Sequence, residues 1–285
     1  MINNAILNLP RIGFGTSEFS SKDEVVSCVT SALEVGYRLF DTASIYGSEE
    51  GIGVAINSFI KKTNTARNEI IISSKISNED QGYLSTKIAV NKSLNVMQQD
   101  YIDLFLIHWP IPRNHEKDYK ELNLETWRAL IEMKKAGFIR EIGVCNFLPR
   151  HIENLENNTG KKPFINQLEI HPKFQQNDVV RYCREKEILI EAWCPFRHGK
   201  IFEEPVLQDM AQKYDVSVSD FCLNWDIQKG IIPLPKSRKT TRIKENYNIL
   251  SHLFTISDKD MEVLETMDDP NGHEDYWNYR RQKIY

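Results

Sequence analysis

Residues 70–109 read IIISSKISNEDQGYLSTKIAVNKSLNVMQQDYIDLFLIHW. A short β-branched run, Ile70–Lys75, passes through a polar junction into Leu84–Met97, where apolar residues recur at helical spacing. A second apolar run, Ile102–Trp109, follows. The unit is strand, helix, strand, and a helical crossover of this kind joins parallel strands.

The same rhythm extends in both directions. Further strands are predicted at Ile12–Thr16, Arg38–Asp41, Glu141–Asn146, Ile165–Ile170, Leu189–Cys194 and Gly230–Pro235, making eight. Ser21-Lys-Asp-Glu24 has the pattern of a capping box and opens a helix that ends near Gly36. Ser48-Glu-Glu starts another with its acids placed for the helix dipole. Leu124–Ala136 closes at Gly137. More helices are expected near 150–158, 176–186, 204–214 and 240–250, with extra ones near 217–228 and 257–267. Eight alternations without a long linker predict an α/β protein, a closed (β/α)8 TIM barrel. Residues 1–285 read as one such domain, with a C-terminal tail from about 268 to 285. A doubly wound open sheet fits eight units less well.

Composition bounds the function. Lys and Arg number 36 against 40 Asp and Glu, a formal charge of −4, so no basic excess points to nucleic acid or an anionic membrane. No window reaches the roughly 18 apolar residues of a membrane span. The start, MINNAILNLPRIG, lacks a basic stretch ahead of a long apolar one, so no secretion signal is expected. Five cysteines without a C-x-x-C suit free thiols in a reducing cytoplasm. The histidines show no H-E-x-x-H or comparable spacing, and no metal is expected. Gly13-Phe-Gly15-Thr-Ser-Glu18 is half a dinucleotide fingerprint, with a carboxylate where the third glycine belongs. It is read instead as close packing of the first strand.

In a barrel of this kind the active site lies at the C-terminal ends of the strands. Asp41 ends the second strand, Tyr46 follows it, Lys75 ends the third and His108 the fourth. An ammonium near a phenol favours the phenolate, and a three-unit lowering is worth roughly 4 kcal/mol. Asp41 would hold Lys75 charged, and His108 would direct a carbonyl oxygen, which makes Tyr46 a general acid for an incipient alkoxide. Lys236, Arg238, Lys239, Arg242 and Lys244 form a local basic run after the eighth strand, where such barrels bind phosphate.

The strings GYRLFDTASIYGSEEGIG, IISSK, DYIDLFLIHWP, IGVCNF, INQLEIHP and IPLPKSRKTTRIKEN, in this order, resemble the aldo-keto reductases from about Gly13 to Asn246. The resemblance implies NADPH-dependent reduction of aldehydes or ketones to alcohols by hydride transfer from nicotinamide C4. Tyr46 then matches the proton donor, Lys75 and Asp41 its tuning pair, and His108 the substrate-orienting residue. Asn146 and Gln167 match positions that hold the nicotinamide carboxamide, and Trp193 falls where a tyrosine usually stacks on that ring. Lys236, Ser237, Arg238, Arg242, Glu245 and Asn246 match the adenosine and 2′-phosphate site.

The chain departs from the pattern at several points. Cys145 and Cys194 stand where serine is commoner, Ser17 where tryptophan often sits, and Phe196-Arg-His-Gly replaces a leucine-led loop. Arg197 or Lys200 is a candidate to approach the cofactor pyrophosphate. Trp109 and Phe14 are candidate pocket walls, and Tyr276, Trp277 and Tyr279 candidate covers of the mouth. A monomer is expected, with a small carbonyl compound as the partner. A cofactor-binding regulatory subunit with little turnover is the alternative. A glycosidase using Glu169 and Glu191 lacks an acid near the end of strand four.

Overall fold

The computed structural model describes residues 7–112 and 114–274. Its strands are β1 (Phe14–Gly15), β2 (Leu39–Asp41), β3 (Ile71–Ile76), β4 (Ile102–Ile107), β5 (Ile139–Cys145), β6 (Ile165–Glu169), β7 (Leu189–Trp193) and β8 (Ile232–Pro233). All pair in parallel and in chain order. Each of the eight predicted strands is present. The first and last are shorter than expected, and proline is the reason. Pro233 and Pro235 have no N–H and cannot donate to a neighbouring strand, while the Leu234 N–H between them reaches the Ala192 carbonyl at 2.9 Å.

The two proline carbonyls close the ring. Gly13 N–H donates to Pro233 O at 3.0 Å and Gly15 N–H to Pro235 O at 3.1 Å. A side chain at position 13 would bring its Cβ within 2.5 Å of Leu234 Cδ2. Gly13 and Gly15 therefore serve the seam between the first and last strands, as the incomplete dinucleotide pattern implied.

The helices among the described residues are α1 (Lys22–Val35), α2 (Glu49–Thr63), α3 (Tyr83–Met97), α4 (Tyr119–Lys135) and α5 (Pro149–Thr159). They continue with α6 (Asn177–Glu185), α7 (Pro205–Lys213), α8 (Val218–Gln228), α9 (Thr240–Asn248) and α10 (Asp258–Glu265). The start of α4 precedes the predicted Leu124 because its first turn is polar and largely exposed, outside the apolar periodicity. Ser21 caps α1 by accepting from Glu24 N–H at 3.2 Å, but the Glu24 carboxylate accepts from Ser20 N–H at 2.7 Å instead of closing the box on Ser21.

Strand side chains alternate between two cores, as a period of two requires. Phe40, Ile72, Phe105 and Ile107 pack outward in the cluster shared with the helices, whereas Leu39, Ile71, Leu104, Leu106 and Ile165 fill a separate inner cluster with Leu234. Further along the same inward rows stand Asp41, Ser73, Lys75, Gln167 and Glu191, all buried. The barrel is thus plugged with aliphatic side chains below and lined with polar ones above. Below, Asp103 ties β4 to its neighbours through Arg67 at 2.9 Å, Arg140 at 3.1 Å and Ile72 N–H at 3.1 Å. No helix among the described residues is long and apolar enough to cross a membrane.

One buried group works against this fold. Asp226 on α8 is 1% exposed, and neither carboxylate oxygen has a hydrogen-bond partner among the described residues. Burial raises its pKa well above the ordinary carboxylate value. The folded chain therefore holds this proton more tightly than the unfolded chain, and stability falls as pH rises from about 4 toward the folded value. Asp226→Asn is expected to stabilise the protein by about 2 kcal/mol at pH 8 and by little near pH 4. Urea unfolding at both values checks this, and an equal gain at both would remove the explanation.

Candidate active site

β2 and β3 present the centre of the site. Lys75 Nζ donates to Asp41 Oδ1 and Oδ2, both at 2.7 Å, and to Thr42 O at 2.9 Å. Three N–H groups meet three acceptors, so the ammonium is satisfied although Lys75 is 0% exposed. Burial pulls the Lys75 pKa down, but the Asp41 carboxylate and its neighbours outweigh that and the pKa is raised. Tyr46 ends a 3-10 turn, Ser44–Tyr46, and the next residue, Gly47, has φ +68°, a conformation that glycine adopts without a side-chain penalty. The turn carries the phenol over the ion pair, with Lys75 Nζ 5.1 Å from the ring centroid and Tyr46 Oη 3.3 Å from His108 Nε2.

All four residues predicted for catalysis thus converge. The electrostatic balance differs from the expectation. Burial raises the Tyr46 pKa and outweighs the ammonium of Lys75, which acts to lower it. The phenol is therefore protonated throughout the neutral range. Burial, then Lys75, holds His108 well below its ordinary pKa, so its imidazole is neutral.

A hydroxyl chain under the ion pair carries no recognisable motif in the sequence. Thr16 Oγ1 donates to Asp41 O at 2.8 Å, and the Ser48 hydroxyl lies 3.0 Å from Thr16 Oγ1 and 2.7 Å from Thr42 Oγ1. Ser48 was expected to open α2 and does precede it, but its side chain makes no cap hydrogen bond. It links the ends of β1 and β2 to that helix instead. The available signal was three small hydroxyl residues at successive strand and helix junctions.

On the far side of the mouth, Asn146, Gln167 and Trp193 come together. Trp193 Nε1 donates to Asn146 Oδ1 at 2.9 Å, and Asn146 Nδ2 donates to His108 O at 3.2 Å. Asn146 holds φ +62°, a left-handed conformation costing on the order of 1–3 kcal/mol, which turns its amide into the mouth. Gln167 Nε2 donates to Asp41 Oδ1 and to Glu191 Oε2, each at 2.8 Å. Cys145 Sγ lies 3.2 Å from Asn146 Nδ2, and burial raises its thiol pKa. Cys194 also has a positive φ, +55°, and a pKa raised by burial. Trp109 is 6% exposed beside His108, with its carbonyl accepting from Gln81 Nε2 at 2.8 Å. Phe14 is not a pocket wall. Its ring packs edge-on to Tyr37 and Phe40 at 5.5 and 6.2 Å, outside the barrel.

The basic run lies where β8 leads into α9. Lys236, Ser237 and Arg238 occupy the loop, while Arg242, Glu245 and Asn246 share one helix face by their spacing. Arg242 and Glu245 are exposed and Asn246 is buried. Ser237 Oγ accepts from Lys239 N–H at 3.0 Å, and no side chain caps the first turn of α9. Lys236 Nζ sits 5.0 Å over the Phe19 ring, and Arg238 donates to the Glu18 carbonyl and pairs with Glu24 at 3.4 Å. Uncapped N–H groups, a hydroxyl and several cations are the donor set that a phosphate requires. Arg197 and Lys200, in contrast, are held by a carboxylate of this chain, with Glu274 at 3.2 and 2.8 Å. Attraction to the nearest buried anion decides this, and Glu274 is 77 residues from Arg197 in sequence. Tyr276, Trp277 and Tyr279 lie outside the described residues.

The chain is 41% identical to the glyoxal reductase of Bacillus subtilis (strain 168) over 261 residues, covering 92% of this chain and 90% of that protein. It is 37% identical to the methylglyoxal reductase DkgA of Escherichia coli (strain K12) over 243 residues, covering 85% and 84%. A crystal structure of a Gox0644 mutant in complex with NADPH superposes with a TM-score of 0.84 at 33% identity, over 94% of this chain and 93% of that one. The model of the aldo/keto reductase family matches residues 11–269, which take in the whole barrel, and the chain belongs to that family.

Proposed function

We propose that the chain reduces small aldehydes and dicarbonyls to alcohols with NADPH, through Tyr46 as proton donor. The observation that carries this is the placement of a protonated phenol between a buried ammonium and a neutral imidazole. NADPH, when bound, supplies a hydride to the carbonyl carbon. The chain then has one charge to manage, the negative charge growing on the carbonyl oxygen. Tyr46 Oη gives that oxygen a proton, and His108 Nε2, 3.3 Å away, directs it to the same point. Although burial raises the Tyr46 pKa, an alkoxide is a base comparable to hydroxide, whose conjugate acid water has a pKa of ~15.7, so the transfer runs downhill. The Lys75 ammonium stabilises the phenolate left behind, and Asp41 keeps that ammonium charged.

Other residues are assigned to holding the cofactor. Asn146 and Gln167 suit its carboxamide, and Trp193 offers an aromatic wall. Lys236, Ser237, Arg238 and Arg242 suit the 2′-phosphate, with Glu245 and Asn246 toward the adenine end. Trp109 walls the substrate side. The cysteines are free, which suits a reducing cytoplasm. The names of the two relatives support glyoxal and methylglyoxal as first substrates to test.

Tyr46→Phe is expected to lower methylglyoxal turnover by 10²–10⁴-fold while leaving the NADPH Kd within a factor of three. Stopped-flow oxidation and fluorescence titration measure the two, and a fully active variant sinks the assignment. Because the Tyr46 pKa is raised, turnover should show no loss from its ionisation up to about pH 9. Arg242→Ala is expected to weaken NADPH binding about tenfold, the loss of one charge-assisted contact, and to leave NADH binding unchanged. Equal effects on both cofactors would place the phosphate elsewhere.

A further inference from the structure

Beneath the mouth, two carboxylates share one amide. Gln167 on β6 sends both of its N–H bonds into them, one to Asp41 Oδ1 and one to Glu191 Oε2, each at 2.8 Å. Gln167 and Glu191 sit opposite each other in the β6–β7 register, which aims both side chains into the barrel. Glu191 is 0% exposed, and its other oxygen, Oε1, has no hydrogen-bond partner among the described residues. This carboxylate therefore costs stability and yet stands on the inner face, one residue from the apolar plug.

We infer that Glu191 is a positioning residue, which locks the Gln167 amide in the one orientation that presents its Oε1 to the cofactor carboxamide. The inference rests on the functional reading above. A flipped amide would set its carbonyl oxygen against two carboxylates, an arrangement that their charge forbids. With Nε2 held by Asp41 and Glu191, Oε1 accepts, among the described residues, from the weak Cys145 thiol at 3.7 Å. A cofactor carboxamide is an N–H donor and needs such an acceptor.

The lock depends on the charge of Glu191. The groups facing it are Asp41 on β2, Lys75 on β3 and Cys145 on β5, with Gln167 between. Burial and then Asp41 raise the Glu191 pKa to about 7. Once protonated, Glu191 donates a hydrogen bond as readily as it accepts one, and the amide is then held by Asp41 without its second anchor. The lock therefore holds above pH 7 and loosens below it. Glu191→Gln is, like the protonated carboxyl, both donor and acceptor but does not titrate, and Glu191→Leu removes the acceptor altogether.

Fluorescence titration with NADPH at pH 6 and pH 8, on wild type and both variants, tests this without turnover. Glu191→Leu should bind at least tenfold more weakly than wild type at pH 8, and Glu191→Gln several-fold more weakly there. At pH 6, where Glu191 is largely protonated, the wild-type to Glu191→Gln affinity ratio should fall to near one. That ratio cancels the titration of the cofactor phosphate, which all three proteins share. Glu191→Leu binding like wild type at pH 8, or a wild-type to Glu191→Gln ratio that does not change with pH, overturns the inference alone. Wild type that fails to bind NADPH at both pH values overturns the reading of the site, and this inference with it.

Discussion

A fully buried ammonium sits at the mouth of this barrel, and the surrounding structure is arranged to keep it there. Taking an ammonium and a carboxylate out of water costs several kcal/mol per ion, which their attraction offsets only when the remaining hydrogen bonds are made. Here both Asp41 oxygens and the Thr42 carbonyl meet the three N–H bonds of Lys75. Gln167 reaches across the barrel to Asp41, and Thr16 holds the Asp41 backbone carbonyl from the other side. The pair is thus fixed from β1, β2, β3 and β6 together. Its charge then reaches the phenol of Tyr46 and the imidazole of His108 through a medium with little water to screen it.

That arrangement follows from a simple property of strands. Alternate side chains point inward, so one strand can contribute an aliphatic residue to the plug before it contributes a polar one to the mouth. Leu39 precedes Asp41, Ile71 precedes Ser73 and Lys75, and Ile165 precedes Gln167. The plug keeps water out from below, and the loops above it are free to vary in chemistry. Closure of the ring depends on the prolines and glycines of the first and last strands, which exchange carbonyls and N–H groups without side chains in the way.

The strand ends of β2, β3 and β4 were legible in the sequence because each run is rich in apolar and β-branched residues and reaches an ionisable residue at its end. Asp41, Lys75 and His108 therefore group together in the sequence itself, and Tyr46 joins them by its place five residues after Asp41. The sign of the Tyr46 pKa shift was not legible, because it is a difference between burial and an opposing charge. Nor was the capture of Arg197 and Lys200 by Glu274, since charge carries no record in the sequence of which opposite charge is nearest. The Thr16, Thr42 and Ser48 hydroxyls were invisible for a related reason. Such residues are common at junctions, and only their mutual distances make them a network.

What the sequence alone determined is the order of strands and helices, the barrel they imply and the ionisable side chains that meet at its mouth. Periodicity and residue type are local properties, and both survive in a linear string. Tertiary structure decided which groups share protons and which are held apart. Glu191 shows the difference. In the sequence it is a carboxylate in a strand, a candidate for hydrolysis that finds no partner. In the fold it lies against Gln167 and faces Asp41, because β6 and β7 align in register and β2 stands across the ring. Register and closure set distances between residues far apart in the chain, and those distances determine the electrostatics of the site.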